Sequence, residues 1–542
     1  MKTYLQAMEG KMAAKTVNLD ALIPRQDFLG EDGPEHGKSG KESVSKTDLQ
    51  ARESFYLSLA KPDFQRETAA WSPQKIVEFI RAFLTNDLIP AVICWQSPSR
   101  LSFVIDGAHR LSAIIAWLND DYGDGEISTK FYNNQIPPEQ REIADKTKRL
   151  IKKELGSFRD IQAEIENPGS NPTLSVYAKA LAHSNIKLQW IDSPEVKKAE
   201  NAFFTINQSA VKIEPVELKI LNTRFEPNAI AARAIVRNAT GHKYWGKFSG
   251  PGIIEIEKNA QNIYSLLFKP PLQSPVRTIE LPIAGLGYGS QSLPLIYDFV
   301  NLANELPVED PSKFKKLTTD HAEPNEATTI KIVGKSLKLA QRITGTHPSS
   351  FGLHPAVYFY SSNGRHQPTA VLAMFSLLKD MEKDNSYNKF TDTRAAFEDF
   401  LLDHKDFINQ LTRKYGSMAK GYRPLKEFYK FIIKCISDGV NETEDIEHKL
   451  IDSDGFSFLQ ITRAIQTTRS RDFSGKAKQL AFLQEALSAT VTCNICGARK
   501  DNKSITADHA IDQKFHGAAT TDNLQFVHPY CNSTYKDYKA RL

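Results

Sequence analysis

The sequence predicts an α+β protein, and three observations support that class. Strand-like runs and amphipathic helices alternate over residues 61–118. Helical hydrophobic spacing then dominates residues 226–485, interrupted by loops rich in Pro, Gly and Asn. Near the C-terminus, pairs of Cys and His residues enclose a segment too short to build a hydrophobic core of its own. We therefore expect three domains, at 1–225, 226–485 and 486–542.

Composition narrows the class of protein without naming a function. A chain of 542 residues with 41% hydrophobic residues can bury sizeable cores. Its net charge of +5 permits nucleic-acid binding but does not argue for it. Cys94 and Cys435 stand isolated, which is typical of a reducing compartment rather than of a disulfide framework. No signal peptide and no membrane-length apolar run is present, so we expect a cytoplasmic protein without a membrane partner.

The front of the chain predicts a helix, a β-hairpin and a second helix. Ser72 followed by Pro73 is typical of a helix N-cap with proline in the first turn. The helix that follows carries four apolar residues at helical spacing, Ile76, Ile80, Phe83 and Leu84. Residues 89–95 and 101–105 look like strands, and the Ser-Pro-Ser turn between them predicts a hairpin. Residues 106–110 then lead directly into the second helix.

The strand–turn–helix junction at residues 106–110 has features typical of an anion-binding site. Exposed backbone N–H groups and the positive end of a helix dipole favour a bound anion. Arg110 can grip a phosphate bidentately, and Asp106 can hold a metal or a ribose hydroxyl. His109 can contact phosphate, carry a proton or hydrogen-bond to a neighbouring strand. The alternative is an ordinary turn in which Asp106 caps the helix and Arg110 pairs with an acid.

The same region resembles a known nucleotide-handling domain. Phe64-Gln65-Arg66, Trp71 and the run IDGAHRLSA at 105–113, with a further match at 202–208, resemble the ParB/sulfiredoxin-like domain of the DGQQR or DGQHR proteins. That domain forms the N-terminal part of GmrSD-type and SspE-type restriction nucleases. The resemblance spans about residues 15–225 and implies nucleotide binding or hydrolysis and the sensing of modified DNA.

The resemblance also implies which residues form the nucleotide site. Carried over, they are Asp106, Gly107, His109 and Arg110, with Gln65 and Arg66 close by. Ala108 stands where the family usually has Gln. Losing an amide that can orient water argues against hydrolysis of a nucleoside triphosphate more than against binding of its phosphates.

The C-terminal segment combines two kinds of metal-ligand pattern. The pair Cys493-x-x-Cys496 is followed about thirty residues later by a second pair, His528-x-x-Cys531. Four such donors close a tetrahedral zinc site with no open position, so this zinc would be structural. Asp508-His509 lies between the two pairs, and Asn532 follows the second pair. These side chains suit a second, harder cation such as Mg²⁺.

The order CxxC, DH, NL, CxxCN resembles the HNH endonucleases of the zinc-stapled ββα-metal type, over roughly residues 488–542. The resemblance implies that His509 is the general base and that Asp508 and Asn532 hold one catalytic Mg²⁺ or Mn²⁺. It also implies that Asn523 orients the loop carrying the base. His528 stands where the pattern usually has Cys, and imidazole is a good zinc ligand.

Together the two resemblances predict a metal-dependent DNA endonuclease or nickase of a bacterial anti-phage restriction system. Its N-terminal domain is expected to sense a nucleotide and a DNA modification, and a mostly helical middle domain is expected to relay that state. The expected cofactors are structural Zn²⁺, catalytic Mg²⁺ or Mn²⁺ and a nucleoside triphosphate; the expected partner is DNA, including phage or modified DNA. Two alternatives stay open, namely a zinc-stapled DNA-binding regulator that does not cut, and an RNA-cleaving toxin. The oligomeric state stays unknown.

Overall fold

The computed structural model describes residues 16–28, 41–65, 67–193, 195–210, 215–273, 276–287, 291–313, 323–440, 442–461 and 475–541. The chain divides into two compact units, Met1–Glu214 with Thr240–His242, and Pro215–Ala239 with Lys243–Leu542. Strands and helices are mixed, which confirms the predicted α+β class. The division into three domains stays a prediction.

The first unit is built around a mixed β-sheet. Its strands are β1 (Arg25–Gln26), β2 (Ser43–Ser45), β3 (Leu59–Pro62), β4 (Val92–Gln96), β5 (Ser102–Asp106) and β6 (Asn185–Trp190). Their spatial order is β1-β3-β5-β4-β6-β2. β3 is parallel to both β1 and β5, so the carboxyl ends of these three strands meet at one edge. β4 is antiparallel to β5, which confirms the predicted hairpin.

Helices flank this sheet on both faces. They are α1 (Ser54–Ser58), α2 (Pro73–Leu84), α3 (Ala108–Asn119), α4 (Glu126–Phe131), α5 (Pro138–Glu154), α6 (Phe158–Glu166), α7 (Pro172–Leu181) and α8 (Val196–Ala210), with a 3₁₀ turn at Asp20–Leu22. α2 begins as predicted, because the Ser72 side chain accepts a hydrogen bond from Lys75 N and Pro73 is the first helical residue. Its four predicted core residues are buried.

The two faces of the sheet differ in what they bury. On one face, aliphatic side chains of α2, α3 and the strands form a single cluster. On the other, Phe28 packs its ring against Phe64, Trp95 and Phe103 at centroid distances of 4.9 to 5.1 Å. Phe203 of α8 covers Phe64 from outside at 5.0 Å. The sheet is therefore an interior layer, held mainly by apolar burial.

The second unit is largely helical. Its helices are α9 (Pro215–Asn222), α10 (Pro227–Val236), α11 (Gly250–Phe268), α12 (Ser292–Ala303), α13 (Glu326–Ile343), α14 (Pro355–Tyr358), α15 (Pro368–Lys383), α16 (Tyr387–Asp403), α17 (Lys405–Tyr415), α18 (Tyr422–Ser437), α19 (Thr443–Ile451) and α20 (Gly475–Ser488). Among the residues that the structure describes, no helix is both long and apolar enough to cross a bilayer.

The C-terminal segment of this unit forms a small ββα module. It contains an antiparallel pair, β7 (Thr506–His509) and β8 (Leu524–Val527), followed by a π-helical turn at Cys531–Tyr535 and α21 (Lys536–Lys539). Short 3₁₀ turns lie at Pro311–Lys313, Asn502–Ser504, Gln513–Phe515 and Thr521–Asn523. Buried side chains of the module, including Val527 and Tyr530, join the same core cluster as the helices.

Candidate metal centre and anion site

The four predicted zinc ligands come together. One ligand atom from each of Cys493, Cys496, His528 and Cys531 lies within 4.8 Å of all the others. Nδ1 of His528 is 3.4 Å from Sγ of Cys496 and 3.9 Å from Sγ of Cys531. Around a tetrahedral zinc, with Zn–S near 2.3 Å and Zn–N near 2.1 Å, neighbouring ligand atoms are about 3.5 to 3.8 Å apart. Donor set and spacing therefore fit a four-coordinate structural zinc.

Hydrogen bonds fix the direction in which His528 presents its ring. Nε2 lies 3.1 Å from the carbonyl oxygen of Arg499. Because a carbonyl can only accept, Nε2 carries the proton and Nδ1 keeps its lone pair for the metal. The first Cys pair is shaped by a tight turn, in which Cys493 N donates to Ala498 O at 2.8 Å and Gly497 N donates back to Cys493 O.

A buried ion pair of the helical scaffold supports this cluster. Glu398 of α16 accepts from Arg394 Nε and from the hydroxyl of Tyr358, each at 2.9 Å. Its other carboxylate oxygen accepts the backbone N–H of Arg499 at 2.7 Å. The carbonyl of the same residue, Arg499, accepts from Nε2 of His528. A continuous chain of hydrogen bonds therefore runs from α16 to one of the predicted zinc ligands. Arg394 and Glu398 have no exposed side-chain surface.

Further polar contacts fasten the ββα module to the helices of its own unit. Tyr530 donates its backbone N–H to Ser350 O at 2.9 Å and its hydroxyl to Asn388 at 2.8 Å. Ser504 accepts from the backbone N–H of Gly345 at 2.8 Å. Gly352 passes so close to the module that an added Cβ would lie 2.9 Å from the His528 ring. The module is thus seated by specific bonds as well as by its share of the core.

Asp508 and His509 end strand β7, beside the C-terminal helix. Asp508 is buried and accepts from Lys536 Nζ at 2.8 Å and from Gln525 Nε2 at 3.1 Å. Asn532 donates its side-chain N–H to the carbonyl of Ala507 at 3.3 Å. Its side-chain oxygen is then available to coordinate a cation. Both predicted cation ligands are therefore attached to the same end of β7.

Asn523 closes the loop that follows His509. Its side-chain oxygen accepts from Ile511 N at 2.6 Å, and its side-chain nitrogen donates to Ile511 O at 3.0 Å and Ala518 O at 2.8 Å. Ala510 N also donates to the carbonyl of Asn523 at 2.9 Å. These bonds limit how far the loop, and the histidine at its start, can move.

At the N-terminal candidate site, β5 ends at Asp106 and α3 begins after Gly107. Gly107 has φ +97°, and an added Cβ would lie 2.7 Å from Val92 Cγ2, so glycine is required here. Arg110 pairs with Asp106, Nη2 to Oδ2, at 2.5 Å. Arg110 thus has the acidic partner of the alternative interpretation, while Asp106 does not cap the helix, whose N-cap is Gly107 with no side-chain cap bond.

The other residues proposed for that site are distributed around the same sheet edge. Nε2 of His109 accepts from Ala70 N at 3.3 Å, and the ring stacks on Trp71 at 5.6 Å. Gln65 follows β3, which runs parallel to β5, so it lies at the edge where Asp106 lies. Its carbonyl accepts from Arg25 Nη2 at 3.0 Å. Arg66 lies outside the described residues.

Next to this edge, a buried cluster of charged side chains links β1 and β3. Lys61 Nζ donates to Asp20 Oδ1 and to Asp20 O at 2.8 Å each, and to Thr68 at 3.1 Å. Arg25 forms a second, shorter ion pair with Asp20. Burial lowers the pKa of Lys61 to about 8, although the carboxylate of Asp20 opposes that shift.

Both candidate sites lie in regions that match known protein families. Residues 47–225 match the model of the GmrSD restriction endonuclease, N-terminal domain, and residues 493–537 match that of the HNH endonuclease. The chain has the GmrSD-type architecture. It therefore combines the two parts of a restriction-type nuclease, and the HNH match contains the Cys/His cluster and the Asp508-His509 pair. Comparisons with curated proteins and with solved structures gave no match.

Sequence reasoning missed two features of this GmrSD-type chain. The contact of Lys536 with Asp508 was not foreseen, because one lysine among 69 basic residues carries no signal of its own. The Arg394–Glu398 pair lies about a hundred residues before the cluster that it supports. Its i, i+4 spacing on a helix was a usable signal for the pair itself, but not for its target.

Proposed function

We propose that the protein is a metal-dependent DNA endonuclease in which His509 is the general base and Asp508 and Asn532 hold a catalytic Mg²⁺ or Mn²⁺. The observation that carries this proposal is the bond from Asn532 to the carbonyl of Ala507, which fastens the π-helical turn Cys531–Tyr535 to the residue before Asp508, at the strand end that bears His509. A carboxylate and an amide oxygen are the donors that such cations prefer.

Each residue then has a separate task in phosphodiester hydrolysis. A divalent cation bound there supplies charge stabilisation at the phosphate. His509, as neutral imidazole, takes the proton from the attacking water. Asn523 holds the loop after His509 through its three side-chain bonds, so that the imidazole keeps its position. Gln525 orients the Asp508 carboxylate through Oδ2.

Lys536 also bears on the proposed cation site, because its ammonium contacts the Asp508 carboxylate. Lys536 Nζ lies 2.8 Å from Oδ1 of Asp508 and 3.9 Å from Oδ2 of Asp512. A divalent cation and an ammonium that both contact one carboxylate oxygen repel each other strongly. Lys536 would leave Asp508 if that carboxylate held a cation, and its ammonium would then be available to a phosphate oxygen.

We further propose that the N-terminal domain binds a nucleotide at the sheet edge formed by β1, β3 and β5, and that this binding, together with a DNA modification, governs cutting of phage or modified DNA. The match to the GmrSD N-terminal domain supports this, as does the glycine-led start of α3 with Arg110 beside it. Arg110 would exchange its bond to Asp106 for a bidentate bond to phosphate. Ala108 favours binding over hydrolysis.

The test uses the purified full-length protein with Mg²⁺ or Mn²⁺ and supercoiled plasmids, unmodified and modified, with and without nucleoside triphosphates. His509→Ala is the inactive variant. The matched control is His516→Asn, because His516 lies exposed in the same loop at φ +63°, a conformation that asparagine tolerates. We expect cleavage by the wild type and His516→Asn and none by His509→Ala.

Other outcomes would assign other functions. Cleavage of RNA in place of DNA under identical metal conditions would indicate the toxin-like alternative. DNA binding without cleavage, unchanged by His509→Ala, would indicate the zinc-stapled regulator. Cleavage that ignores both the nucleotide and the DNA modification would remove the sensing role from the N-terminal domain while leaving the nuclease assignment intact.

A further inference from the structure

The β7–β8 ribbon has two unlike faces, and His509 lies on the uncovered one. In the antiparallel register His509 is opposite Leu524 and Ala507 is opposite Phe526. Opposed residues share a face, and so do residues two apart on one strand. Ala507, His509, Leu524 and Phe526 therefore form one face, which we call the His509 face. The neighbouring pair, Asp508 and Gln525, lies on the other face, as their hydrogen bond requires.

Burial differs sharply between the faces. On the Asp508 face, Asp508 is 7% exposed and Val527 is fully buried. On the His509 face, Leu524 is 45% exposed and Phe526 is 50% exposed. Two further large apolar side chains, Ile511 and Phe515, are exposed in the 3₁₀ loop that follows His509. So many exposed apolar side chains on one short module mark an interaction surface.

The position of His509 decides what covers this surface. A general base must reach the water that attacks the scissile phosphate, so the substrate has to approach the end of β7, where Asp508 and His509 adjoin and where the His509 face begins. Leu524 is the direct cross-strand neighbour of His509, and Phe526 is two residues further along β8. A nucleic acid that reaches His509 along this face therefore lies next to these two exposed side chains. Lys514, whose ammonium lies over the Phe515 ring at 5.3 Å, adds positive charge at the loop.

We propose that Leu524 and Phe526 bind the DNA substrate by apolar contact with the sugars and base edges next to the scissile phosphate. The proposal rests on the nuclease function proposed above. Apolar side chains hold DNA by burying sugar and base surface and, at flexible steps, by partial unstacking. They displace no counterions, so their contribution to affinity does not depend on salt. The two residues would position the strand against His509 without contacting the phosphates.

The test measures binding of a fluorescein-labelled DNA duplex to the full-length protein across a salt series, without added divalent cation. The variants are Phe526→Ala and Leu524→Ala. The Phe526 substitution leaves the bond from Lys500 Nζ to the Phe526 carbonyl in place. The matched control is Ile254→Ala, since Ile254 is also an exposed apolar residue of this unit, 68% exposed on α11. Lys514→Gln provides the electrostatic comparison. Unchanged zinc content verifies that each variant is folded.

We expect Phe526→Ala to weaken binding roughly tenfold at every salt concentration, with an unchanged slope of log Kd against log salt. Leu524→Ala should act in the same direction and Ile254→Ala should have no effect. Lys514→Gln should lower the slope by about one. If Phe526→Ala fails to fold, Leu524→Ala and the milder Phe526→Leu, expected to weaken binding less, decide the question.

Three results would overturn the proposal. Wild-type affinity in both alanine variants would show that DNA does not cover the His509 face; if His509-dependent cleavage of plasmid persists, the nuclease function stands. A lower molecular mass of Phe526→Ala by light scattering, with unchanged DNA affinity, would assign the face to a second copy of this chain. A wild type that neither binds nor cleaves DNA would overturn both the inference and the proposed function.

Discussion

The two candidate sites are built alike but held differently. In each, an acid stands at or next to the last residue of a strand, a histidine comes soon after it in the sequence, and a basic side chain contacts the acid: Asp508 with Lys536 at 2.8 Å, and Asp106 with Arg110 at 2.5 Å. The N-terminal site stands on a sheet buried between two apolar layers. The C-terminal site stands on a two-stranded ribbon with one open face, next to the Cys/His cluster and its support, the buried Arg394–Glu398 pair.

This difference indicates what each site depends on. A short ribbon that exposes Leu524 and Phe526 cannot obtain its order from burial alone, so ligands and directional bonds must supply it. The strands of the sheet are instead fixed by packing on both faces. Perturbing zinc or its supports should therefore abolish cleavage and leave nucleotide binding unchanged.

The largest expected effect follows from removing a zinc ligand. Cys496→Ser should lose the metal and, with it, the order of the β7–β8 module, because structural zinc contributes on the order of 10 kcal/mol to small metal domains. We expect plasmid cleavage to be abolished and nucleotide affinity to stay at the wild-type value, measured by metal analysis, cleavage and calorimetry. Cys435→Ser, a buried thiol outside the cluster, is the control. A zinc-free variant that cleaves normally would contradict this account.

A second prediction compares two adjacent acids that both contact Arg499. Glu398 accepts its backbone N–H and is buried, whereas Asp399 accepts its guanidinium at 2.7 Å and is 63% exposed. Glu398→Gln leaves Arg394 without its charge partner, at a cost of about 3 to 5 kcal/mol in the free energy of unfolding. It should also weaken zinc binding about 10- to 100-fold, because the chain of bonds to His528 is disturbed.

The control for that pair is Asp399→Asn, which should change stability by less than about 1 kcal/mol, since exposed ion pairs contribute little. Chelator competition and denaturant unfolding measure the two quantities. Equal zinc release by the two variants would show that the buried carboxylate does not support the cluster.

At the N-terminal site, Arg110→Met should reduce nucleotide affinity about 10- to 100-fold, because charge-assisted bonds to phosphate contribute roughly 1.5 to 3 kcal/mol. Arg81→Met is the matched control, since Arg81 pairs with Glu154 at 2.7 Å elsewhere in the same unit. Calorimetric titration with nucleoside triphosphates gives both values. Unchanged affinity in Arg110→Met would favour the simpler interpretation, in which the Arg110–Asp106 pair is structural.

The smallest expected effect concerns the lysine in the proposed metal site. Lys536→Met removes a positive charge 2.8 Å from Asp508 and should raise affinity for Mn²⁺ roughly fivefold, as measured by electron paramagnetic resonance. Lys539→Met is the control, since Lys539 donates to Ile495 O and does not contact Asp508. Weaker Mn²⁺ binding by Lys536→Met would mean that the lysine supports the cation instead of competing with it.

Features coded by neighbouring residues were predictable from the sequence. The Ser72 cap, the hairpin of β4 and β5, and the glycine turn before α3 each follow from a few adjacent residues, and the structure confirms them. The Cys/His cluster was also predictable, because the spacing within each pair places its two ligands on one turn. In these places local chemistry leaves few alternatives.

Features that join distant residues were not predictable. β2 pairs with β6 across about 140 residues, and nothing in the three-residue β2 indicates its partner. Two contacts depend on how helices pack and not on any local pattern: that of Lys536 with Asp508, and that of Arg499 with Glu398. At Arg110 the sequence left two interpretations open, and the structure supplies the acidic partner, Asp106.

The role of His509 as general base is tested most directly by the single-turnover rate of plasmid cleavage by wild type and His509→Ala at saturating Mn²⁺, on a plasmid that the wild type cleaves. Zinc content and DNA affinity are first verified to be equal. We expect a rate at least about 100-fold lower in His509→Ala, because a positioned general base contributes that much or more. Equal rates, with zinc and binding intact, would contradict the assignment of His509 as the base and with it the proposed mechanism.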